Sequence, residues 1–210
     1  MSIVNCTLSI DNCTLSIDNG CCRLFIQTGQ PLNAAVVMKG EIMEIRIAGT
    51  VSESIVDGPG FRYTIFVQGC PHNCPGCHNP QTHDFGAGKL VDTDELFNEC
   101  IEDPLNKGVT FSGGEPFCQA AALYELGKRF KERGLSIWCY SGWTWKELWK
   151  QAEMKDDVRK LLSIIDVLVD GRFIEERKSL SLPFRGSENQ RLIDVRASIK
   201  EGMAIEFNLY

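Results

Sequence analysis

From residue 43 onward the chain alternates short apolar runs with segments of helical period. Glu44-Ile45-Arg46-Ile47 reads as a short strand, and Arg62 to Gln68 as a stronger one, with Tyr63-Thr64-Ile65-Phe66-Val67 at its centre. Between them Asp57-Gly58-Pro59-Gly60 reads as a turn. Residues 80–91 show no period. Asp92 or Thr93 then caps a helix with apolar positions Leu96, Phe97, Cys100 and Ile101. A strand at Gly108-Val109-Thr110-Phe111-Ser112 precedes a helix from about Gln119 to Arg133, closed by Gly134. A strand from Leu135 to Tyr140 leads to a Trp/Lys-rich helix ending near Gln151. Further elements are a helix over 157–163, a buried-type strand at Ile165-Asp166-Val167-Leu168-Val169, a short helix near Ile174–Lys178 and a strand at Arg191–Val195. Strands alternating with helices predict an α/β fold with a largely parallel sheet, and too few βα units for a closed eight-fold barrel. The expectation is therefore a partial (βα) barrel.

Residues 1–42 follow a different pattern. Asn5-Cys6-Thr7-Leu8-Ser9-Ile10-Asp11 is repeated unchanged as Asn12-Cys13-Thr14-Leu15-Ser16-Ile17-Asp18, with apolar and polar positions alternating. That period suits a short strand, but two copies are too few for a solenoid. The stretch is expected to be an unstructured extension or translated repeat upstream of a true start at Met38 or Met43. An auxiliary metal site on Cys6, Cys13, Cys21 and Cys22 is the competing expectation. The domain proper is then 43–210.

Composition narrows the class. The formal net charge of -6 argues against a nucleic-acid partner, and no apolar run reaches the ~18 residues needed to span a bilayer. Ten cysteines would suggest disulfides in a small secreted protein. The N-terminus carries no secretory pattern, and the tightest cysteine cluster has ligand spacing, so a reducing cytoplasm is expected.

That cluster is Cys70-Pro71-His72-Asn73-Cys74-Pro75-Gly76-Cys77. Three thiolates on one loop can hold three corners of an iron–sulfur cube and leave one iron open. Zinc is the rival, with His72, His78 or His83 completing four ligands. Cys100, Cys118 and Cys139 lie singly in periodic segments and are expected in the core. Each special stretch follows a strand: the cysteine loop, Gly113-Gly114-Glu115-Pro116, Ser141-Gly142-Trp143 and Asp170-Gly171-Arg172. In parallel α/β architectures such loops share one rim. Two glycines let a ligand approach the backbone, and the Glu115 carboxylate could accept from an ammonium group.

Cys70-x-x-x-Cys74-x-x-Cys77 followed by Gly113-Gly114-Glu115 resembles the radical S-adenosylmethionine superfamily. Asp57-Gly58-Pro59-Gly60-Phe61-Arg62 is similar to the activases of glycyl-radical enzymes. Within these, Cys74-Pro75-Gly76-Cys77-His78-Asn79, Tyr140-Ser141-Gly142-Trp143-Thr144-Trp145, Val167-Leu168-Val169-Asp170-Gly171 and Leu182-Pro183-Phe184-Arg185-Gly186-Ser187-x-Asn189-Gln190-Arg191 look like the proteins that activate anaerobic ribonucleoside-triphosphate reductase. The resemblance covers about Glu44 to Val195. It implies a [4Fe-4S] cluster on Cys70, Cys74 and Cys77, with S-adenosylmethionine bordered by Gly76, Cys77, His78, Gly113, Gly114 and Glu115. It further implies reductive cleavage to a 5'-deoxyadenosyl radical, a glycyl-radical reductase subunit as substrate, and flavodoxin or ferredoxin as electron donor. Asp57 to Gly60, Trp143, Asp170 and Arg185 would shape the opening or the partner surface. An activase of pyruvate formate-lyase, a deazaguanine synthase and a zinc-binding interaction module remain open alternatives.

Overall fold

The computed structural model describes residues 43–209, together with strands at 9–10, 13–18 and 21–26. The chain separates into two compact units, Met1–Gly40 and Glu41–Tyr210. In the first, β1 (Ser9–Ile10), β2 (Cys13–Asp18) and β3 (Cys21–Ile26) pair antiparallel in that order. The alternating pattern of the second repeat copy thus makes a strand. The side chains of residues 1–42, and with them the cysteine set Cys6, Cys13, Cys21 and Cys22 and the start at Met38, lie outside the described residues.

The second unit runs β4 (Glu44–Ser54), β5 (Arg62–Val67), β6 (Lys89–Asp92), α1 (Thr93–Glu102), β7 (Gly108–Gly113), α2 (Ala120–Glu132), β8 (Ser136–Ser141), α3 (Trp145–Met154), α4 (Asp156–Ile164), β9 (Val167–Asp170), β10 (Arg191–Asp194) and α5 (Val195–Glu201). Its sheet has seven strands in the order β10-β9-β8-β7-β5-β4-β6. The four central strands β5, β7, β8 and β9 are mutually parallel. The pairings at both margins, β9 with β10 and β4 with β5 and β6, are antiparallel. The result is a mixed α/β fold with a parallel centre. Among the described residues no helix is long and apolar enough to cross a membrane.

Two strands depart from the sequence expectation. β4 continues well past Ile47 to Ser54, although Val51 to Glu53 are exposed, because β5 pairs with it across two irregularities. β6 falls where no period is visible. It exists because the first half of β4 offers an edge, with Glu44 opposite Asp92 and Ile47 opposite Lys89.

Local signals explain the rest. Asp92 accepts from the Asp94 amide and starts α1, as its side-chain type favours. Thr144 and Glu147 form a reciprocal capping box at α3. The core is continuous from Ile45 and Ile65 through Phe111, Leu123, Phe130 and Ile137 to Leu161 and Leu168. Burying each such side chain contributes about 1.5–3 kcal/mol. Arg62 is also buried, 1% exposed, and among the described residues no ion pair matches it. Its guanidinium is held instead by Thr110 Oγ1, Ser136 Oγ and the carbonyls of Val109 and Ser136, tying β5 to β7 and β8. Burial pulls its pKa down to about 10.

Registers Val67–Gly113 and Ser141–Asp170 bring the C-terminal ends of the four parallel strands together on one rim. The cysteine loop, the Gly-Gly-Glu stretch, the Ser-Gly-Trp stretch and the Asp-Gly-Arg stretch all leave from it.

Candidate functional site

The rim opens into a cavity of about 610 Å³. Cys70, Cys74 and Cys77 line it, together with His72, His78 and His83, which are all the histidines of the chain. The loop carrying the thiols is fixed at its root. The Gly69 amide donates to Thr82 O and the Cys70 amide to His83 O, so the outgoing and returning strands of the loop are zipped. The buried Gln68 side chain donates to the carbonyls of Gln81 and Asp84 across the same gap. Asn73 takes a left-handed φ of 48°, a conformation Asn tolerates better than most residues.

Burial pushes the Cys70 thiol up, opposed by backbone hydrogen bonding from His72 and Asn73. Burial also raises Cys74, opposed by the Phe173 amide. The Asn79 amide donates to Cys77 Sγ at 3.4 Å. Amide donors favour thiolate and tune the potential of a cluster bound through it. The donor set therefore fits a group held by three thiolates. Among the described residues, no three His, Cys, Asp or Glu side chains gather around a single ion. A zinc site would need four donors at one point, whereas a cube takes one thiolate per corner.

The Gly-Gly-Glu stretch is joined to the cysteine loop through backbone. Gly114 N donates to Val67 O and Glu115 N to Gly69 O, both at 2.8 Å. A Cβ on Gly113 would stand 2.8 Å from Phe66 Cα and Val67 O, and one on Gly114 would stand 2.9 Å from the Gly69 carbonyl carbon. Close packing of two backbones, as well as access for a ligand, thus requires these glycines.

Of the six residues expected around S-adenosylmethionine, Cys77, His78, Gly113 and Gly114 line the cavity. Gly76 and Glu115 do not. Gly76 turns to Glu175, where a Cβ would come within 2.6 Å of the carboxylate carbon. The Glu115 carboxylate is fully buried. It accepts from His72 Nε2 at 2.8 Å, from Ser141 Oγ at 3.0 Å, from the Gly142 amide at 2.9 Å and from the Phe117 amide at 3.1 Å. An ammonium group would have to displace one of these donors to reach it. His78 lies against Phe173, ring centroids 4.8 Å apart.

The residues expected to shape the opening divide. Asp57 and Arg185 line the cavity. Asp57 accepts from Ser54 Oγ and Thr64 Oγ1 and is thereby held at the end of β4. Trp143 and Asp170 do not reach it. Trp143 packs edge-on against His72, and Asp170, 1% exposed, accepts from the Trp145 amide and from Arg191. The Leu182–Arg191 stretch is a loop folded on Gln190, whose side-chain oxygen accepts from the Gly186 and Ser187 amides and whose amide donates to Gly171 O. Cys100 and Cys139 are buried, but Cys118 is exposed. It sits in a single turn of 3-10 helix, Pro116–Gln119, where its neighbours Pro116 and Phe117 take the core-facing positions.

Sequence reasoning missed the apolar mouth. Ile55 and Val56, 66% and 70% exposed, and Leu180, 92% exposed, line the same cavity as the thiols. The available signal was an apolar pair between Ser54 and Asp57, outside any periodic run.

The family described as a 4Fe-4S single cluster domain matches residues 56–193, which include all four rim stretches, the cysteine loop among them. The anaerobic ribonucleoside-triphosphate reductase-activating protein of Vibrio cholerae is 39% identical over 145 residues, spanning 65% of this chain and 89% of the relative. The chain belongs to the anaerobic ribonucleoside-triphosphate reductase-activating protein family. Another protein of that name, from Escherichia coli K12, is 35% identical over 144 residues and 90% of its length. The pyruvate formate-lyase-activating enzyme of Clostridium pasteurianum is 40% identical over only 95 residues, 40% of that enzyme. Likeness to the reductase-activating proteins thus spans 89–90% of their length, whereas likeness to the lyase activase spans 40% of that enzyme.

Proposed function

We propose that this chain is an enzyme that activates anaerobic ribonucleoside-triphosphate reductase by generating the glycyl radical of its glycyl-radical subunit. Cys70, Cys74 and Cys77 would hold a [4Fe-4S] cluster, and the cavity beside them would take S-adenosylmethionine. When bound, the two groups supply one-electron reductive cleavage of the sulfonium and with it the power to abstract hydrogen. The chain's own residues bind, orient and exclude water. Cys77, His78, Gly113 and Gly114 wall the cofactor space, while Glu115 supports the wall from behind. Ile55, Val56 and Leu180 give the mouth an apolar lip against which a peptide segment can displace water. An electron enters from flavodoxin or ferredoxin, in the cytoplasm. The sheet is taken as an open partial barrel, with β10 and β6 as its unjoined edges. Residues 1–42 take no part.

The observation that carries this reading is three thiols lining one cavity with the close-packed Gly113-Gly114 backbone. The test is anaerobic incubation of the reconstituted chain with the reductase, S-adenosylmethionine and a reductant, followed by electron paramagnetic resonance. A glycyl radical is expected with the wild-type chain and none with Cys74→Ala. An equal signal from both, or none from an iron-loaded wild type, would count against it.

A further inference from the structure

His72 stands between two of the thiols, yet its side chain is turned away from solvent and is 3% exposed. It enters a slot built by two other loops. Its Nε2 donates to Glu115 Oε2 at 2.8 Å, and its ring meets the edge of Trp143 at 4.7 Å between centroids, inclined by 75°. The floor of the slot is Gly142, where a Cβ would lie 2.6 Å from His72 Nε2. Gly142 has an ordinary φ, so the missing side chain reflects this crowding rather than backbone conformation. Glu115 in turn is held by Ser141 Oγ and the Gly142 and Phe117 amides, so the acceptor for His72 is itself immobile.

The backbone of the same histidine belongs to the turn between Cys70 and Cys74, in which Asn73 takes a left-handed φ of 48°. The side chain therefore anchors the turn that joins two of the thiols. Hydrogen bonding to cluster sulfurs and their solvent exposure tune the reduction potential, so a turn released from its anchor changes it.

We infer that His72 is a positioning residue: through Glu115 and the Gly142 slot it fixes the turn that places Cys70 and Cys74. The Gly-Gly-Glu and Ser-Gly-Trp loops thereby set the potential of a cluster they do not ligate. The inference rests on the iron–sulfur reading of the three thiols.

Two perturbations test it. His72→Phe keeps a ring for Trp143 and removes the donor to Glu115. Gly142→Ala keeps the histidine and pushes its ring out of the slot. His72→Gln, which retains an N–H donor, is the conservative control. Iron and sulfide per chain, the reduction potential from an anaerobic titration, and the melting of the metal-free chain are measured for each. His72→Phe and Gly142→Ala are expected to shift the potential, or to lose iron from a metal-free chain that still melts cooperatively, with His72→Gln nearer wild type. Loaded variants with unshifted potentials would overturn the inference. So would loss of iron only in variants whose metal-free chain no longer folds, which would reduce His72 to general packing. A wild-type chain that takes up no iron would instead sink the reading of the thiols themselves.

Discussion

The amide of Glu115 donates to the carbonyl oxygen of Gly69 at 2.8 Å, joining the Gly-Gly-Glu stretch to the root of the cysteine loop. Gly114 lies between them with no room for a methyl group, since a Cβ would also crowd Thr82 O at 3.1 Å. Gly114→Ala is expected to part the two backbones and cost about 1–3 kcal/mol. Urea denaturation of the metal-free chain gives the loss, and iron retention should fall with it. An unchanged midpoint would show that the joint is slack.

The cysteines divide into two sets by position. Cys70→Ala, Cys74→Ala and Cys77→Ala should each abolish stoichiometric iron uptake after anaerobic reconstitution. Cys118→Ala, an exposed site outside the cavity lining, should leave it at the wild-type level. Iron and sulfide analysis decides, and equal losses in both sets would defeat the assignment.

Glu115 is buried with four donors on its carboxylate. Glu115→Gln replaces one acceptor oxygen by an NH2 group facing those donors. A loss of about 3 kcal/mol in the metal-free chain is expected, since hydrogen bonds to charged groups are worth about 1.5–3 kcal/mol and an unmatched buried donor costs a similar amount. Ser141→Ala should cost about 1 kcal/mol. A denaturant series on both variants checks the order.

Alkaline pH should weaken the fold in a defined window. Burial, with Asp103 and Glu99 nearby, pushes the Cys100 thiol from its ordinary 9.0 up to about 12. Above pH 9 the unfolded chain releases a proton that the folded chain retains, so this contribution is complete below about 9 and is lost as pH rises toward 12. One such group gives a slope of about 1.4 kcal/mol per pH unit. Burial shifts the Cys139 thiol and the Tyr140 hydroxyl in the same direction. The urea midpoint of the reduced, metal-free chain should fall between pH 9 and 11, less steeply in Cys100→Val.

The start of the catalytic unit can be located by truncation. Met43 O accepts from the Thr93 amide, and Glu44 to Ile47 pair with β6. A chain beginning at Met43 should bind iron and melt as the full chain does. One beginning at Gly49 loses β6 pairing and the buried Ile45 and Ile47, and should lose several kcal/mol. Calorimetry and iron content on both separate the cases, and loss of iron in the chain beginning at Met43 would give the N-terminal segment a role.

Much of the fold was legible because local signals agreed with the tertiary outcome. Asp92, Thr144 and the βα alternation mark helix starts and parallel strands at short range. β6 was not legible, because four residues carry no period of their own and pair only once β4 supplies an edge. Cys118 was misread because apolar periodicity does not say which side of a single turn faces outward.

For the site, the sequence by itself determined the three-cysteine spacing, the four loops following strands and the family. These are contiguous residues with fixed covalent separation, so chemistry tied to spacing can be read directly. Only the tertiary structure decided that the buried Glu115 carboxylate is bonded to His72, 43 residues away. It also decided that Asp170 serves Trp145 and Arg191, and that Ile55 and Leu180 meet at the cavity that holds the thiols. Which of several possible partners a buried carboxylate satisfies depends on strand order and register. Those are set by packing across the whole sheet, which leaves no trace at the residue's own position in the chain.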